Sequence, residues 1–523
     1  MNRNQLYESM ERIDDQVLER SEKRKGIKKP LWMGAVAAVL VVAVAVGIAV
    51  QPRVPVGGEV GATTGQATEQ AVGKATALRV AMYPDMAPYP DESQYMNNGD
   101  QTDGAQGASQ TPNPGESQYV SGSEQTFDSD GFSKAYDAWW ESLQAQRRDT
   151  GYTQGLESFW EKTVPVFLDG ESGENRAYSP LNVYMALGML AELTGGDSRQ
   201  QVLDLLGASD IDALRSQAND LWNANYWNDG ATASILASSL WLREDISYVD
   251  STLDTLADTY YASSFQGEMG SPELDQMLRD WINDQTGGLL EDQVGELTLK
   301  PDTVLALATT LYFQAKWNQE FSETGNVTQA FHGPNGDKDV EFMRTSVTNT
   351  YYWGENFGAV GLSLENNGAM WFVLPDEGTT PEELLQDSQA MEFLFSDGGT
   401  DAWENGKSLT INMSVPKFDI SSQMDLLGGL ETLGVTDALD PELADFSPTT
   451  EDVEELYLSM AQHGVRVAID EEGVTAAAYT VMAACGSGMP PEEEMDFVLD
   501  RPFLFCVTSQ DGLPLFVGIV NQP

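Results

Sequence analysis

The chain has 523 residues, and 82 acidic against 28 basic residues give it a formal charge of −54. Hydrophobic residues make up 41% of the chain, which is enough for one large core. The charge argues against nucleic-acid and anionic-glycan partners, because both need basic patches. We interpret the acidic excess as a solvated surface that aids solubility.

The first predicted element is an uncharged apolar run at residues 31–50, which is long enough to span a bilayer. Basic residues precede it at Lys23, Arg24, Lys25, Lys28 and Lys29. The positive-inside rule then predicts a cytoplasmic tail at residues 1–30, one transmembrane helix at 31–50 and an extracellular remainder. The alternative is a signal peptide and a secreted protein, because Ala43, Ala45 and Ala49 offer small-residue cleavage sites.

Residues 51–130 are rich in Gly, Gln, Ser, Thr and Pro, which predicts a low-complexity, disordered extracellular linker. From residue 131 the pattern changes to that of a folded domain, which we predict to extend over residues 131–523. Apolar spacing predicts helices at 132–143, 155–167, 182–193 and 198–206. Strands are predicted at 234–242, 304–313, 359–365, 370–374, 409–415, 466–469, 503–508 and 515–520. Helices come first and strands dominate later, which favours the α+β class.

Few residues offer catalytic or metal chemistry. The chain has two cysteines, Cys485 and Cys506, and two histidines, His332 and His463. So few cysteines exclude a disulfide scaffold, and so few imidazoles argue against a metal site. A cysteine hydrolase built on Cys485 and His463 is rejected because no nucleophile motif surrounds Cys485. We therefore predict no enzyme activity and no cofactor. Cys485 is either a small loop residue or an exposed thiol open to oxidation.

The most informative segment follows Gly473. Residues 474–491 contain no Asp, Glu, Lys or Arg, although the chain is strongly charged. They begin with a flexible glycine and a run of Ala, and they include a Cys-Gly-Ser-Gly tip at 485–488. The pattern is typical of a segment that is exposed in one state and buried as a strand in another.

Several motifs occur in the order and spacing of one known family. They are Asn-Arg-Ala-Tyr-Ser-Pro-Leu at 175–181, Leu-Tyr-Phe-Gln-Ala-Lys-Trp at 311–317, Leu-Pro-Asp at 374–376, Val-Pro-Lys-Phe at 415–418, Asp-Phe-Ser at 445–447, Arg-Pro-Phe-Leu-Phe at 501–505 and Pro-Leu-Phe-Val-Gly at 514–518. Each motif alone is weak, but together they make residues 151–523 resemble the serpins. The tail, the apolar run and the scarcity of cysteine indicate a prokaryotic member anchored at the cell surface.

The resemblance implies a serpin fold of three β-sheets and about nine helices with an exposed reactive-centre loop. It also implies a monomer that acts as a suicide substrate for a serine protease. The protease attacks the loop, an acyl-enzyme forms, and the cleaved loop inserts into the central sheet before the ester is hydrolysed. The catalytic triad belongs to the protease. The alternatives are a non-inhibitory serpin that acts as a binding protein, and a cross-class inhibitor of cysteine proteases.

By the same resemblance, the loop hinge consists of Glu471, Gly473, Val474, Ala476, Ala477, Ala478 and Thr480. Val474 departs from the usual Ser or Thr, and Tyr479 from the usual small residue. Because strand periodicity is two, Val474, Ala476 and Ala478 would face the core after insertion, and Ala477 would face outward. In the family the cleaved position lies fourteen residues after the hinge glycine. Counting from Gly473 predicts a reactive bond between Ser487 and Gly488, which suits an elastase-like or subtilisin-like protease with a small primary pocket. Loop lengths in the family vary by a residue or two, so Gly486, Gly488 and Met489 remain alternative cleaved positions, with Met489 disfavoured because Pro490 follows it.

Beneath the loop, Ser179 and His463 match the family's shutter, a buried polar network under the central sheet. Asn182 stands where a serine is usual, and Thr309 stands where an asparagine is usual. The amide and the hydroxyl have changed places, and we expect the buried hydrogen bond to survive by this exchange. Trp317 matches the breach, where the loop enters the sheet.

Overall fold

The computed structural model of the protein describes residues 40–50, 76–90, 92–97, 126–148, 150–170, 173–229, 232–295, 297–365, 368–395, 403–453, 455–474, 491 and 493–523. These residues form eleven α-helices, which are α1 (Ser129–Gln146), α2 (Glu157–Phe167), α3 (Pro180–Leu193), α4 (Gly196–Leu206), α5 (Ile211–Asn225), α6 (Asp250–Thr259), α7 (Pro272–Gln285), α8 (Glu291–Val294), α9 (Pro381–Leu384), α10 (Ser388–Phe395) and α11 (Leu427–Thr432).

The same residues form twenty strands: β1 (Leu40–Val50), β2 (Thr76–Arg79), β3 (Met96–Asn97), β4 (Thr126–Phe127), β5 (Arg176–Tyr178), β6 (Trp227–Asn228), β7 (Ala233–Arg243), β8 (Ala262–Gly267), β9 (Thr303–Lys316), β10 (Val327–Gly333), β11 (Gly336–Trp353), β12 (Phe357–Ser363), β13 (Ala369–Pro375), β14 (Gly406–Pro416), β15 (Phe418–Asp425), β16 (Leu456–Ile469), β17 (Gly473–Val474), β18 (Glu494–Val498), β19 (Phe503–Thr508) and β20 (Pro514–Val520). The helices and strands predicted from residue 132 onward are confirmed in type, with shifts at their ends.

The central sheet has the order β15-β16-β1-β9-β7-β8-β2, and β6 and β17 pair with β7 and β9 beside this path. A second sheet has the order β18-β14-β11-β12-β13-β19-β20-β5, with β10 paired to β11. The resemblance implies three sheets. Here the long strand β11 pairs with both β14 and β12, so two of the expected sheets are continuous. The third sheet among the described residues is the small pair β3-β4.

Helix α3 forms the centre of the core. Ser179 caps its first turn by accepting a hydrogen bond from the Asn182 N–H, and Pro180 occupies its first position. Every residue of α3 is buried, which is expected of a helix that is apolar on all sides. The next helix, α4, ends at Gly207, whose φ of 72° is the left-handed conformation that favours glycine. Helix α3 therefore lies buried beneath the central sheet.

The structure differs from the predicted transmembrane helix at residues 31–50. Residues 40–50 form strand β1, which lies between β9 and β16 and pairs antiparallel with both. Residues 31–39 lie outside the described residues. Among the helices that the structure describes, none has the length and apolar character needed to cross a membrane. An uncharged run of Val and Ala is compatible with either structure, and here two neighbouring strands satisfy its backbone hydrogen bonds.

The structure also differs from the linker predicted at residues 51–130. Strand β2 extends the central sheet by pairing with β8, and Arg79 forms ion pairs with Asp250 at 3.1 Å and Asp254 at 2.7 Å. Tyr83 packs against Trp222, with 5.2 Å between their ring centroids. A strand of four residues and single aromatic side chains give no periodic signal in the sequence, which is why the sequence does not predict these contacts.

Candidate functional site

The predicted hinge begins with a tight turn after β16. The Asp470 carboxylate accepts hydrogen bonds from the backbone N–H groups of Glu472 at 3.0 Å and Gly473 at 3.2 Å. The Asp470 N–H donates to the Gly473 carbonyl at 3.2 Å. The chain then forms β17, in which Gly473 pairs with Lys316 and Val474 with Ala315 of β9. The side chain of Asp470 thus shapes the turn that directs the chain onto the central sheet.

This carboxylate is held in an unfavourable environment. Burial raises the pKa of Asp470 to about 6, and the nearby charges of Glu472 and Glu471 act in the same direction, while the two backbone hydrogen bonds oppose them. The pKa of the Asp470 carboxyl in this turn therefore lies well above the ordinary value of 3.8.

Gly473 lies unusually close to β9. A Cβ atom at this position would lie 2.5 Å from the Lys316 Cα and 2.6 Å from the Ala315 carbonyl oxygen. Its φ of +149° is also a backbone conformation that side-chain-bearing residues rarely adopt. Only glycine fits this position without moving the backbone.

Glu471 ties the hinge to the second sheet. Its carboxylate lies 2.6 Å from the Lys417 Nζ and accepts a hydrogen bond from Asn326. Lys417 also pairs with Glu341 at 3.1 Å. Burial raises the pKa of Glu471, but the hydrogen bonds from Lys417 and Asn326 outweigh this effect and leave the pKa below its ordinary value. Glu471 is therefore a charged anchor on the N-terminal side of the hinge.

Trp317, which directly follows β9, forms hydrogen bonds to the same turn. Its indole Nε1 donates to the Asp470 carbonyl at 2.9 Å, and its backbone N–H donates to the Glu472 carbonyl at 3.2 Å. The ring is buried and packs edge-on against Phe321, with 5.9 Å between the centroids. The predicted breach residue thus contacts the first residues of the hinge.

Deeper in the core, the structure brings the four predicted shutter residues into two buried contacts. The His463 Nε2 accepts a hydrogen bond from the backbone N–H of Ser179 at 3.1 Å. Because Nε2 is the acceptor, the ring proton of neutral His463 lies on Nδ1. Burial lowers the pKa of His463 to about 3, so the imidazole is neutral.

The second contact joins the exchanged residues. The Thr309 hydroxyl of β9 donates to the Asn182 Oδ1 of α3 at 2.7 Å, and both side chains are buried. Among the described residues, the Asn182 Nδ2 finds no hydrogen-bond partner. This hydrogen bond therefore connects β9 of the central sheet to helix α3.

The structure offers no support for a catalytic cysteine or a metal site within the described residues. Cys506 is buried, and burial raises the pKa of its thiol far above the ordinary range. No group of three or more His, Cys, Asp or Glu that could hold a metal ion occurs in the described part of the chain.

Comparison with protein families matches residues 163–523 to the family described as "Serpin (serine protease inhibitor)". This match covers well over half of the chain. The chain belongs to the serpin family. A similar relative is plasminogen activator inhibitor 1 of Neovison vison, which is 28% identical over 400 residues, or 73% of this chain and 96% of the relative. Another is Serpin-ZX of Arabidopsis thaliana, 28% identical over 375 residues, or 68% of this chain and 94% of the relative.

Solved serpin structures share the fold. The native state of the thermophilic serpin tengpin matches with a TM-score of 0.62 and 24% identity over 72% of this chain and 95% of that chain. The native stressed conformation of Arabidopsis AtSerpin1 gives a TM-score of 0.60 with 24% identity over 72% and 99%. The complex of thyroxine-binding globulin with thyroxine gives 0.58 with 21% identity over 70% and 99%.

The rest of the predicted loop of this serpin is not described by the structure. The hinge residues Ala476, Ala477, Ala478 and Thr480, the reactive bond Ser487–Gly488 and Cys485 all lie outside the described residues. Their roles stay predictions. Sequence reasoning missed Asp470, Lys417 and Asn326, although Lys417 belongs to the Val-Pro-Lys-Phe motif.

The resemblance implies that a cleaved loop would insert into the central sheet next to β9, and a strand from the N-terminal part of the chain occupies that position in this structure. Strand β1 lies between β9 and β16 and separates them. We call the position between β9 and β16 the gap, because these two strands would be left with unpaired edges if β1 were absent. Ten residues of β1 pair with β9 and ten with β16, and Val44 lies opposite both Thr309 and His463. The gap between β9 and β16 is therefore a strand-binding site that lies directly next to the hinge.

Proposed function

We propose that this serpin inhibits serine proteases as a suicide substrate. The observation that carries the proposal is the hinge: Gly473 and Val474 already pair with β9, and the sequence that follows is uncharged through residue 491. A strand begun in this way can lengthen along β9 one residue pair at a time. The absence of charge supports this, because a buried unpaired charge would cost several kcal/mol.

In the proposed reaction, the serine hydroxyl of the protease attacks the carbonyl carbon of Ser487. The bond from this carbon to the Gly488 nitrogen breaks, the new amine leaves with the proton supplied by the protease histidine, and Ser487 remains as an ester on the protease. Insertion of the freed residues 475–487 next to β9 then carries the bound protease along and distorts its active site. The serpin supplies no catalytic group, and we infer that it is not itself an enzyme.

The chemistry around the proposed bond suggests the target class. Ser487 has glycine neighbours at Gly486 and Gly488, and no Lys or Arg lies between residues 474 and 491. A small, uncharged residue fits a small primary pocket, as in elastase-like and subtilisin-like proteases. Trypsin-like proteases need Lys or Arg and are not expected to react.

We further propose that residues 31–50 can anchor the chain in a membrane, with the serpin domain outside the cell. The length of the uncharged run and the basic cluster before it support this orientation. The proposed inhibitor is a prokaryotic monomer, and release after signal cleavage is the alternative.

A non-inhibitory binding serpin is the second candidate. The observation that favours it is the filled gap, because a sheet that already contains β1 has no room for the cleaved loop.

The test is to incubate the full chain with elastase and with subtilisin, both in buffer and in phosphatidylcholine–phosphatidylglycerol vesicles. A complex that survives a denaturing gel, together with a released peptide whose mass starts at Gly488, is the expected result. The matched control is Ser487→Arg, which should lose the complex with elastase and form one with trypsin. Cleavage without a complex under every condition would instead establish a substrate and favour the non-inhibitory candidate. A stable complex with papain but not with elastase or subtilisin would indicate cross-class inhibition.

A further inference from the structure

The hinge and strand β1 follow the same line along β9. Val474 pairs with Ala315, and Leu40 pairs with Phe313 two residues further along, so only Gln314 of β9 lies between their partners. Both β17 and β1 run antiparallel to β9. Strand β1 thus begins where the described part of the hinge ends, and it pairs with β9 positions that a lengthening hinge would need next.

We propose that residues 40–50 are an internal competitor of the reactive loop for the gap between β9 and β16. This inference rests on the proposed function, because it concerns the same insertion step. While β1 is paired there, it occupies the backbone hydrogen bonds of β9 and β16 that an inserted loop would need. Inhibition therefore requires that β1 leave the gap.

The two competitors share their chemistry. Residues 40–50 read Leu-Val-Val-Ala-Val-Ala-Val-Gly-Ile-Ala-Val, and residues 475–487 read Thr-Ala-Ala-Ala-Tyr-Thr-Val-Met-Ala-Ala-Cys-Gly-Ser. Neither segment carries a charge or a proline, so either can hydrogen-bond on both sides as a central strand. Residues 40–50 contain more β-branched residues, which favour strands.

The chain connectivity lets β1 reach the gap easily. Residues 51–75 join it to β2, which is fixed at the edge of the same sheet by its pairing with β8. Strand β2 lies four strands away from β1, a distance of about 20 Å at the usual spacing between strands. The covalent connection through residues 51–75 keeps residues 40–50 at a high effective concentration near the gap.

Seating in the gap and spanning a bilayer exclude each other. Residues 40–50 make up the second half of the uncharged run at 31–50, so the run cannot cross a membrane while β1 is paired. Insertion into a bilayer would withdraw β1 and free the gap for the loop. The membrane is thus expected to switch the inhibitor on.

Disulfide trapping tests the proposal in the full chain. Ala45 lies directly opposite Ala308, and opposite residues of antiparallel strands have the Cα separation that a disulfide needs. The test variant is Ala45→Cys with Ala308→Cys. The matched control is Ala45→Cys with Ala306→Cys, because Ala306 lies two positions along the same strand and too far away for a disulfide. The unmodified chain, oxidised and reduced in parallel, controls for Cys485 and Cys506.

Three measurements are made on each variant. Peptide mass mapping gives the disulfide yield in buffer and in phosphatidylcholine–phosphatidylglycerol vesicles. Nondenaturing gels give the uptake of a synthetic peptide that copies residues 475–487. Denaturing gels give the covalent complex with elastase before and after reduction.

The proposal predicts a disulfide yield at least tenfold higher for the Ala308 pair than for the Ala306 pair in buffer, and a lower yield in vesicles. It also predicts that the variant with Ala45→Cys and Ala308→Cys takes up at least tenfold less peptide when oxidised than when reduced. The oxidised variant should likewise trap at least tenfold less elastase than the reduced variant. Equal yields for the two pairs would overturn the proposal, as would full peptide uptake by the oxidised form. If oxidation blocks peptide uptake but elastase is trapped in neither state, the competition stands and the proposed protease inhibition fails.

Discussion

Gly473 contacts β9 so closely that its missing side chain is a structural requirement. A Cβ atom on Gly473 would lie 2.5 Å from the Cα of Lys316, where no side chain can move aside. The first prediction is that Gly473→Ala displaces the hinge from β9 and lowers the free energy of unfolding by about 1–3 kcal/mol. Thermal melting measures the stability, and the ratio of complex to cleaved product with elastase measures the effect on trapping.

The control is Gly428→Ala, because a Cβ atom at Gly428 of α11 would meet no other atom within 4 Å. This variant should melt at or slightly above the temperature of the unmodified chain. If both alanine variants behaved alike, the close approach of Gly473 to β9 would have no energetic role.

The second prediction concerns the exchanged residues of the shutter. Thr309→Val removes the donor to Asn182 and leaves a buried amide oxygen unpaired, which should lower the free energy of unfolding by about 1–3 kcal/mol. Thr310→Val is the control, because the Thr310 hydroxyl is buried without a hydrogen-bond partner in the described part of the chain. Urea unfolding followed by tryptophan fluorescence measures both variants, and equal losses would argue against a special role for the Thr309 hydrogen bond.

Asn182→Ser tests the same hydrogen bond by changing its acceptor. The shorter side chain cannot reach the Thr309 hydroxyl as the amide does, so we expect a lower melting temperature. Adding Thr309→Asn restores the family's usual arrangement and should recover part of the loss, which a double-mutant cycle would measure. An unchanged melting temperature in Asn182→Ser alone would contradict the exchange.

The third prediction is a loss of stability in acid through His463. Its pKa is lowered from 6.5 to about 3 in the folded chain, so between these values the unfolded state binds a proton that the folded state does not. Burial of the neutral ring therefore costs no stability above pH 6.5. Between pH 6.5 and about 3, the free energy of unfolding falls by about 1.4 kcal/mol for each pH unit. His463→Gln keeps an acceptor for the Ser179 N–H but cannot be protonated, so unfolding curves from pH 7 to 4 should show a shallower acid loss.

His332→Gln is the control for this measurement. His332 is exposed beside Asp337 at 2.9 Å, and the hydrogen bond to this carboxylate raises its pKa. A raised histidine pKa stabilises the fold at low pH and not at high pH, so His332→Gln should not flatten the acid loss. If the His463 and His332 variants gave the same pH profile, burial of His463 would not be the cause.

The fourth prediction separates the two faces of the inserted loop. Ala478→Arg would place a charge toward the core after insertion, and we expect elastase to cleave the loop without forming a complex. Ala477→Arg places the same charge one residue earlier on the outward face and should still trap elastase. Denaturing gels distinguish the outcomes, and equal trapping by both variants would contradict the assigned alternation.

Much of the fold could be predicted because local patterns carry it. The uncharged apolar runs at residues 304–313, 503–508 and 515–520 lie within β9, β19 and β20. Strand β2 could not be predicted, because four residues provide no period and its stability comes from β8, far away in the sequence. The composition of residues 40–50 suits a bilayer as well as a sheet, so the sequence predicts a helix where the structure has strand β1.

The site divides in the same way. Gly473 and Trp317 could be predicted from the sequence, because the residues around each of them resemble a motif of the serpin family. The partners of Glu471 could not, because Lys417 and Asn326 are distant in sequence and meet only when the two sheets pack together.

The sequence by itself determined the family through the order of its motifs, and it shows the predicted hinge glycine at position 473 followed by a segment without charge through residue 491. Only the tertiary structure decided what fills the central sheet. The position of an apolar strand in a sheet depends on which neighbouring strands have unpaired backbone N–H and C=O groups. Here β9 and β16 pair such groups with residues 40–50. That competition for open hydrogen bonds exists only after the sheet has formed, so no residue pattern could reveal it.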